Sequence, residues 1–373
     1  MKGLSRAGLY IVIAVIIIAI AAGLVAWIQF TRQPLATPTP TKAATTPTTA
    51  PLATATITSP TITPSIKYNI IIATGGVGGV YYYYGATMAG IISNYTDITA
   101  TSVQTAASID NLILIRDRTD LSKGIIYCAT VLPDSAYLAY TGQHERFRNA
   151  TAPISILWAM YPNHLHIVTT VDKGIKTVYD LKGKRVSTGA PGSGTEVEAL
   201  LLLKLIGIDP AKDFAKWERL GAEESARALQ DGSIDAYFWS GGLPTGSIVE
   251  LSRALSQRGS KLYLVPIPDD VIKQFSQTYP GIAVPGVIKK DVYGTDNDTQ
   301  TLAFWNMFVC HKDLPADVAY KITKAVFEHL DILQKAVAAA RDTTPQNAIK
   351  YVGGAIPYNE GALRYFREIG VLK

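Results

Sequence analysis

From Lys67 onward, short apolar runs of strand character alternate with stretches of helical length. Tyr68–Ala73 reads as a strand, Val80–Ser93 as a helix and Thr96–Gln104 as an alternating strand. Ile109–Asp117 then reads as a short helix and Gly124–Thr130 as a third strand. This βαβαβ order marks a parallel sheet with flanking helices. A second unit begins near His166. Its strands are Leu165–Thr170, Lys184–Thr188, Trp217–Leu220, Ile234–Trp239 and Leu262–Pro266. Its helices are Val178–Leu181, Thr195–Ile206, Glu223–Asp231 and Ile248–Ser256. A strand-like run Thr301–Val309, a long helix Pro315–Val337 and a terminal helix Gly361–Glu368 close the chain. The alternation predicts two α/β lobes: 67–162 begins the first, 163–295 builds the second and 296–373 returns to the first. No close internal repeat is visible. A chain of 373 residues is long enough for two such lobes.

The first 66 residues do not share this pattern. Ala7–Ile28 is a 22-residue run without charge, and at about 1.5 Å per residue such a helix crosses a bilayer. Lys2 and Arg6 precede it and favour a cytoplasmic N-terminus. Its length favours an uncleaved anchor within 1–30 over a cleaved signal, whose apolar core is shorter. Thr31–Ile66 holds 13 Thr, 7 Pro and no acidic residue. Such a segment buries too little to offset its ordering entropy and reads as a disordered Thr/Pro-rich stalk. The remainder is expected on the extracytoplasmic face.

Of the 35 basic residues, four (Lys2, Arg6, Arg32, Lys42) precede Lys67, and none of the 30 acidic residues does, so the folded part carries 31 − 30 = +1. With no basic-aromatic stripe, a nucleic-acid partner is not expected. Cys128 and Cys310 make no metal site by themselves and are read equally as one disulfide or two buried thiols. His164-x-His166 sits on one strand face and reads as structural, so no metal is expected.

Two glycine loops remain. ATGGVGGV (Ala73–Val80) follows the first strand, and GAPGSGT (Gly189–Thr195) follows Thr188. The first lacks the third glycine and the acidic partner of a dinucleotide site, and the second has Thr195 where a P-loop needs lysine. Pro191 stands where a serine-nucleophile elbow needs glycine. Each loop nevertheless runs strand, glycine turn, helix. That geometry lets backbone N–H groups at a helix start approach an anion. Neither loop contains Lys or Arg, which fits a small carboxylate better than a polyphosphate.

The ordered set of these loops with SIDNL (Ser108–Leu112), DLKGKRVSTGAPGSGT, ALQDGSIDAYFWSGGLPTGSIVEL, HKDLPADVAYKITKAVFE and IPYNEGALRYFREIG resembles the TAXI family of TRAP-transporter solute receptors. The resemblance covers nearly all of 67–373. It implies a two-lobed type II periplasmic-binding-protein fold. It also implies a small organic acid, glutamate- or dicarboxylate-like, clamped in the interlobe cleft and delivered to an ion-driven TRAP-type permease. Carried over by motif, Gly75, Gly76, Tyr81, Tyr82 and Ser108 would bind from the first lobe. Ser193, Gly194, Thr195, Trp239, Gly241, Gly242 and Pro244 would bind from the second. No cofactor and no catalysis are implied, and the soluble part is expected to be monomeric. The chain departs from the family in Ala107 before Ser108, where glycine is commoner, in Tyr83-Tyr84, and in Asn359 where histidine is commoner. The rival readings are a receptor for another porter class such as an ABC type, a sensor's binding lobe, and a hydrolase using Ser193.

Overall fold

The computed structural model describes residues 67–351 and 353–373. The anchor expected within 1–30 and the stalk expected over 31–66 lie outside the described residues. Among the described residues no helix is long and apolar enough to cross a membrane.

In the first lobe, β1 (Asn69–Ala73) pairs in parallel with β2 (Thr99–Val103) and β3 (Ile125–Val131). The helices α1 (Val80–Tyr95), α2 (Ser108–Arg118) and α3 (Pro133–Tyr140) each follow one of these strands. The chain then enters β4 (Ile154–Thr170). In the second lobe, β5 (Arg185–Ser187) pairs in parallel with β6 (Lys216–Glu218) and β7 (Ala236–Gly241). The helices α4 (Gly194–Leu205), α5 (Ala222–Gln230) and α6 (Gly246–Gln257) follow them in the same order. After β8 (Leu262–Leu264), α7 (Asp269–Thr278) and β9 (Val284–Ile288), β10 (Thr299–His311) leads back. Then α8 (Ala316–Glu328), α9 (Leu330–Ala336) and α10 (Glu360–Glu368) pack on the first lobe.

The sheet order is β2-β1-β3-β10-β4-β7-β5-β6. Its two halves, β2-β1-β3-β10 and β6-β5-β7-β4, repeat one pattern. Each lobe has its first strand between its second and third, and is closed by an antiparallel strand shared with the other lobe. β4 and β10 pair with each other from His164–Ala303 to Ile154–His311. β10 also pairs with β3 at 307–310, and β4 with β7 at 164–168. The boundary expected after residue 162 therefore falls inside a continuous strand.

In four places the fold corrects or adds to these expectations. The strand expected over Leu165–Thr170 begins at Ile154 and runs through Pro162, which cannot donate to a ladder. The pairing absorbs it by a register shift between Trp305 and Met307, and the Asn306 side chain donates to the Tyr161 carbonyl there. The expected helix Pro315–Val337 breaks at His329, whose φ of −122° and ψ of 31° separate α8 from α9. The helices α3 and α7 and the strand β9 were not foreseen. Cys128 and Cys310 are register partners on β3 and β10 and form a disulfide, which settles the choice between bridge and free thiols.

Candidate ligand-binding site

Four helices begin at the carboxyl ends of parallel strands: α1 after β1, α2 after β2, α4 after β5 and α5 after β6. This is where open α/β sheets bind ligands. The residues that cap them, Gly79, Ala107, Ser193 and Gly221, all line one cavity of about 230 Å³. Gly79, Ala107 and Gly221 offer no side-chain cap, so the first N–H groups of α1, α2 and α5 rely on other acceptors. On α4 the Ser193 hydroxyl accepts from Glu196 N at 3.1 Å. Ser193 thus serves as a helix cap. The adjacent Glu196 carboxylate takes a hydrogen bond from Arg219 Nη2 at 2.9 Å, which offsets its charge at this helix start.

Ten of the residues expected at the site line this cavity: Gly75, Gly76, Tyr81 and Ser108 from the first lobe, and Ser193, Gly194, Thr195, Trp239, Gly241 and Gly242 from the second. Two do not. Tyr82 lies one residue, and so about 100°, round α1 from Tyr81, and packs edge-on to Tyr83 at 5.3 Å. Pro244 is exposed at the corner after Gly242. The structure adds Tyr161 and Asn163 from β4, Gln104 to Ala107 after β2, and Gly221, Ala222 and Glu224 after β6. The stretch Gly221–Glu224 occupies in the second lobe the place that Ala107–Ser108 occupies in the first. That equivalence becomes visible only once the two half-sheets are aligned.

The lobes meet around the cavity. The amides of Ile109 and Asp110, at the start of α2, donate to the Gly192 carbonyl across the cleft at 3.2 and 3.3 Å. A Cβ on Gly194 would stand 2.5 Å from Leu132 Cδ1 and 2.6 Å from Ser108 Oγ, and one on Gly79 would stand 3.3 Å from the Trp239 ring. At Gly194 the opposite lobe's side chains come closer than a Cβ would allow, so only glycine fits there. Beneath the cavity the Tyr81 phenol donates to Asn306 Oδ1. Asn306 donates to Asn163 Oδ1 at 2.8 Å, and Asn163 donates to the Ser240 carbonyl at 3.3 Å. One chain of side chains thereby links α1 to β7 through both shared strands. Burial, reinforced by Glu198 and Asp134, pushes the Tyr81 phenol up, so it stays a proton donor.

Among the described residues lining the cavity, Glu224 alone is charged, and no Lys or Arg takes part. The hydroxyls of Tyr161 and Ser240, both cavity residues, are buried without a protein partner. The histidine pair has other work. Both nitrogens of His166 are engaged, Nδ1 with the Trp239 carbonyl at 3.1 Å and Nε2 with the Tyr293 hydroxyl at 3.0 Å. Burial pushes His164 down to about 4 and His166 down to about 3, so both are neutral in the fold.

The sequence model of the NMT1-like family matches residues 72–370, which spans both lobes and all four helix starts. The chain belongs to the NMT1-like family. Solved structures similar to this NMT1-like chain include MatC from Rhodopseudomonas palustris with bound malate, at 14% identity and a TM-score of 0.48 over 82% of this chain and 97% of that one. PhnD1 from Prochlorococcus marinus in complex with methylphosphonate matches at 12% identity and a TM-score of 0.47, over 82% and 99%. The periplasmic aliphatic sulphonate binding protein SsuA from Escherichia coli matches at 13% identity and a TM-score of 0.40, over 81% and 83%.

Proposed function

We propose that this protein is an extracytoplasmic solute receptor of the TAXI type, which closes two lobes on a small organic acid and hands it to a TRAP-type permease. The observation that carries this reading is the convergence of four helix starts, two from each lobe, on one cavity without a basic side chain. Each helix start presents about half a positive charge, and those of α1 and α5 add N–H groups without a side-chain cap. Together they suit a carboxylate held by dipoles, with the Tyr161 and Ser240 hydroxyls as further donors. β4 and β10 are the only strands pairing directly with both lobes among the described residues, and they serve as the hinge for closure. The disulfide fits an oxidising compartment, in keeping with an N-terminal membrane anchor. Ser193 caps a helix instead of meeting a base, which favours binding over hydrolysis.

The test is a thermal-melt screen of the purified protein against amino acids, dicarboxylates, 2-oxo acids and their uncharged amides. An acid present at 100 times its dissociation constant stabilises by about 2.7 kcal/mol and raises the melt by a few degrees. Hits confined to carboxylates are the expected result. Equal hits from the amides, or stabilisation by neutral solutes alone, would sink the carboxylate cradle.

A further inference from the structure

Asp134 and Glu198 are both fully buried, and none of their four carboxyl oxygens has a hydrogen-bond partner. They come from different lobes: Asp134 from the first turn of α3, Glu198 from α4. The two helices pack on each other across the seam. Leu132, just before α3, is part of the second lobe's apolar core, while Val197, beside Glu198, packs against the first lobe's core. The pair therefore lies within an interdigitated interface that exists only while the lobes are together.

No cation reaches it. Tyr81 and Tyr351 lie within electrostatic reach, and the hydroxyl-bearing neighbours are Ser135 and Ser240. On the surrounding elements Arg146 pairs with Asp110, Arg116 with Asp117 and Arg219 with Glu196. Asp269, Asp270 and Lys273 on α7, and Lys204 at the end of α4, are exposed. Ser135 and Ser240 offer these carboxyls only weak donors and no counter-charge is near, so the two carboxylates cannot both stay ionised in such a place. Burial pushes both carboxyls up, and the charge of Asp134 raises Glu198 further. A metal ion fits poorly. Neither residue lines the cavity, and among the described residues no group of three or more His, Cys, Asp or Glu could hold one.

We propose that Asp134 and Glu198 form a proton site shared by the two lobes, filled when the lobes close and emptied into water when they part. Closing on a ligand then takes up a proton, and a rise in pH favours the open, releasing form. The coupling to ligand rests on the receptor reading above, whereas the proton site does not.

The test uses the full-length protein, with Glu198→Gln and Asp134→Asn as near-isosteric variants. Infrared spectra at pH 7 read the protonated carboxyl C=O band directly. Titration calorimetry with L-glutamate and L-malate, in buffers of differing ionisation enthalpy from pH 6 to 9, reads proton uptake. The expected result is a protonated band in the wild type that is lost or shifted in either variant. Affinity for a binding probe should fall by up to tenfold per pH unit above the site's apparent pKa, with a flatter profile in Glu198→Gln. The proposal is overturned if the band is absent from wild type both with and without probe, or if both proteins share one pH profile. If the band behaves as expected but neither probe binds at any pH, the proton site stands and the glutamate- or dicarboxylate-like ligand reading fails.

Discussion

Ala107 has φ 93° and ψ −144°, and it is the one described non-glycine residue with positive φ. Only glycine enters that region without strain, and a Cβ there costs on the order of 1–3 kcal/mol. The residue caps α2 and lines the cavity, so the strain holds the Ile109 and Asp110 amides toward the opposite lobe. Ala107→Gly should stabilise the protein by about 1 kcal/mol, the strain relieved less the entropy that glycine adds to the unfolded chain. A urea midpoint that falls in this variant would show that no strain is stored there. Gly194 makes the opposite argument. Its missing Cβ permits contact with Leu132 and Ser108, so Gly194→Val should hold the lobes apart, abolish ligand-induced stabilisation and leave the circular dichroism spectrum unchanged. Normal ligand response by that variant would move the site elsewhere. Both positions were legible before the fold was known: one as a glycine in a strand–turn–helix loop, the other as a departure from the family's commoner glycine. Tyr82 misled because consecutive tyrosines on a helix cannot share a face.

At the scale of elements, the alternation of strands and helices was plain, since period-2 and helical patterns leave separate marks on composition. The recurrence of β2-β1-β3-β10 as β6-β5-β7-β4 was not. A repeated topology needs the same hydrogen-bond geometry and not the same side chains, so Leu220-Gly221-Ala222 and Ala106-Ala107-Ser108 share a position without sharing a sequence. The shared strands were legible in part: Thr301–Val309 and Leu165–Thr170 read as strands, whereas Ile154–Asn163 carries Pro162, which cannot donate to a ladder, and Asn306 interrupts the apolar run AFWNMFVC. In the fold these anomalies meet at one irregularity, where Asn306 donates to the Tyr161 carbonyl and to Asn163 Oδ1 and accepts from Tyr81. Asn306→Leu removes that hub and takes a partner from three buried groups, the Tyr81 phenol, the Tyr161 carbonyl and Asn163 Oδ1. Each unsatisfied group costs about 1–3 kcal/mol, so the variant should lose at least about 3 kcal/mol in chemical denaturation. Tyr81→Phe in the same background should recover part of the loss, because it removes the orphaned hydroxyl. If the double variant is no more stable than the single one, the phenol's bond to Asn306 does not matter to the fold.

For the whole molecule, two buried sets of titratable groups act on stability in opposite directions. His164 and His166 are held near 4 and 3 by burial, below the ordinary value of about 6.5. Below that ordinary value the unfolded chain takes up protons that the fold refuses, so stability is lost as pH falls, by up to about 1.4 kcal/mol per pH unit for each histidine. Asp134 and Glu198 are raised by burial, so their contribution is fully present below an unfolded value of about 4 and is lost as pH rises through their folded values. Below about pH 6.5 the folded protein withholds protons at the histidines and retains them at the carboxyls. The two slopes then oppose each other, and wild-type stability should change less than either set alone would make it. Above about 6.5 the histidines are neutral in both states, the acids alone remain, and stability should decline with pH. Glu198→Gln removes part of the declining contribution and exposes the histidine slope. Its urea midpoint should rise from pH 5 to 6.5 and then hold nearly level while the wild type's declines. Midpoints at pH 5, 6, 7 and 8 for the two proteins decide the matter. Parallel curves would mean that Glu198 carries no extra proton in the folded state.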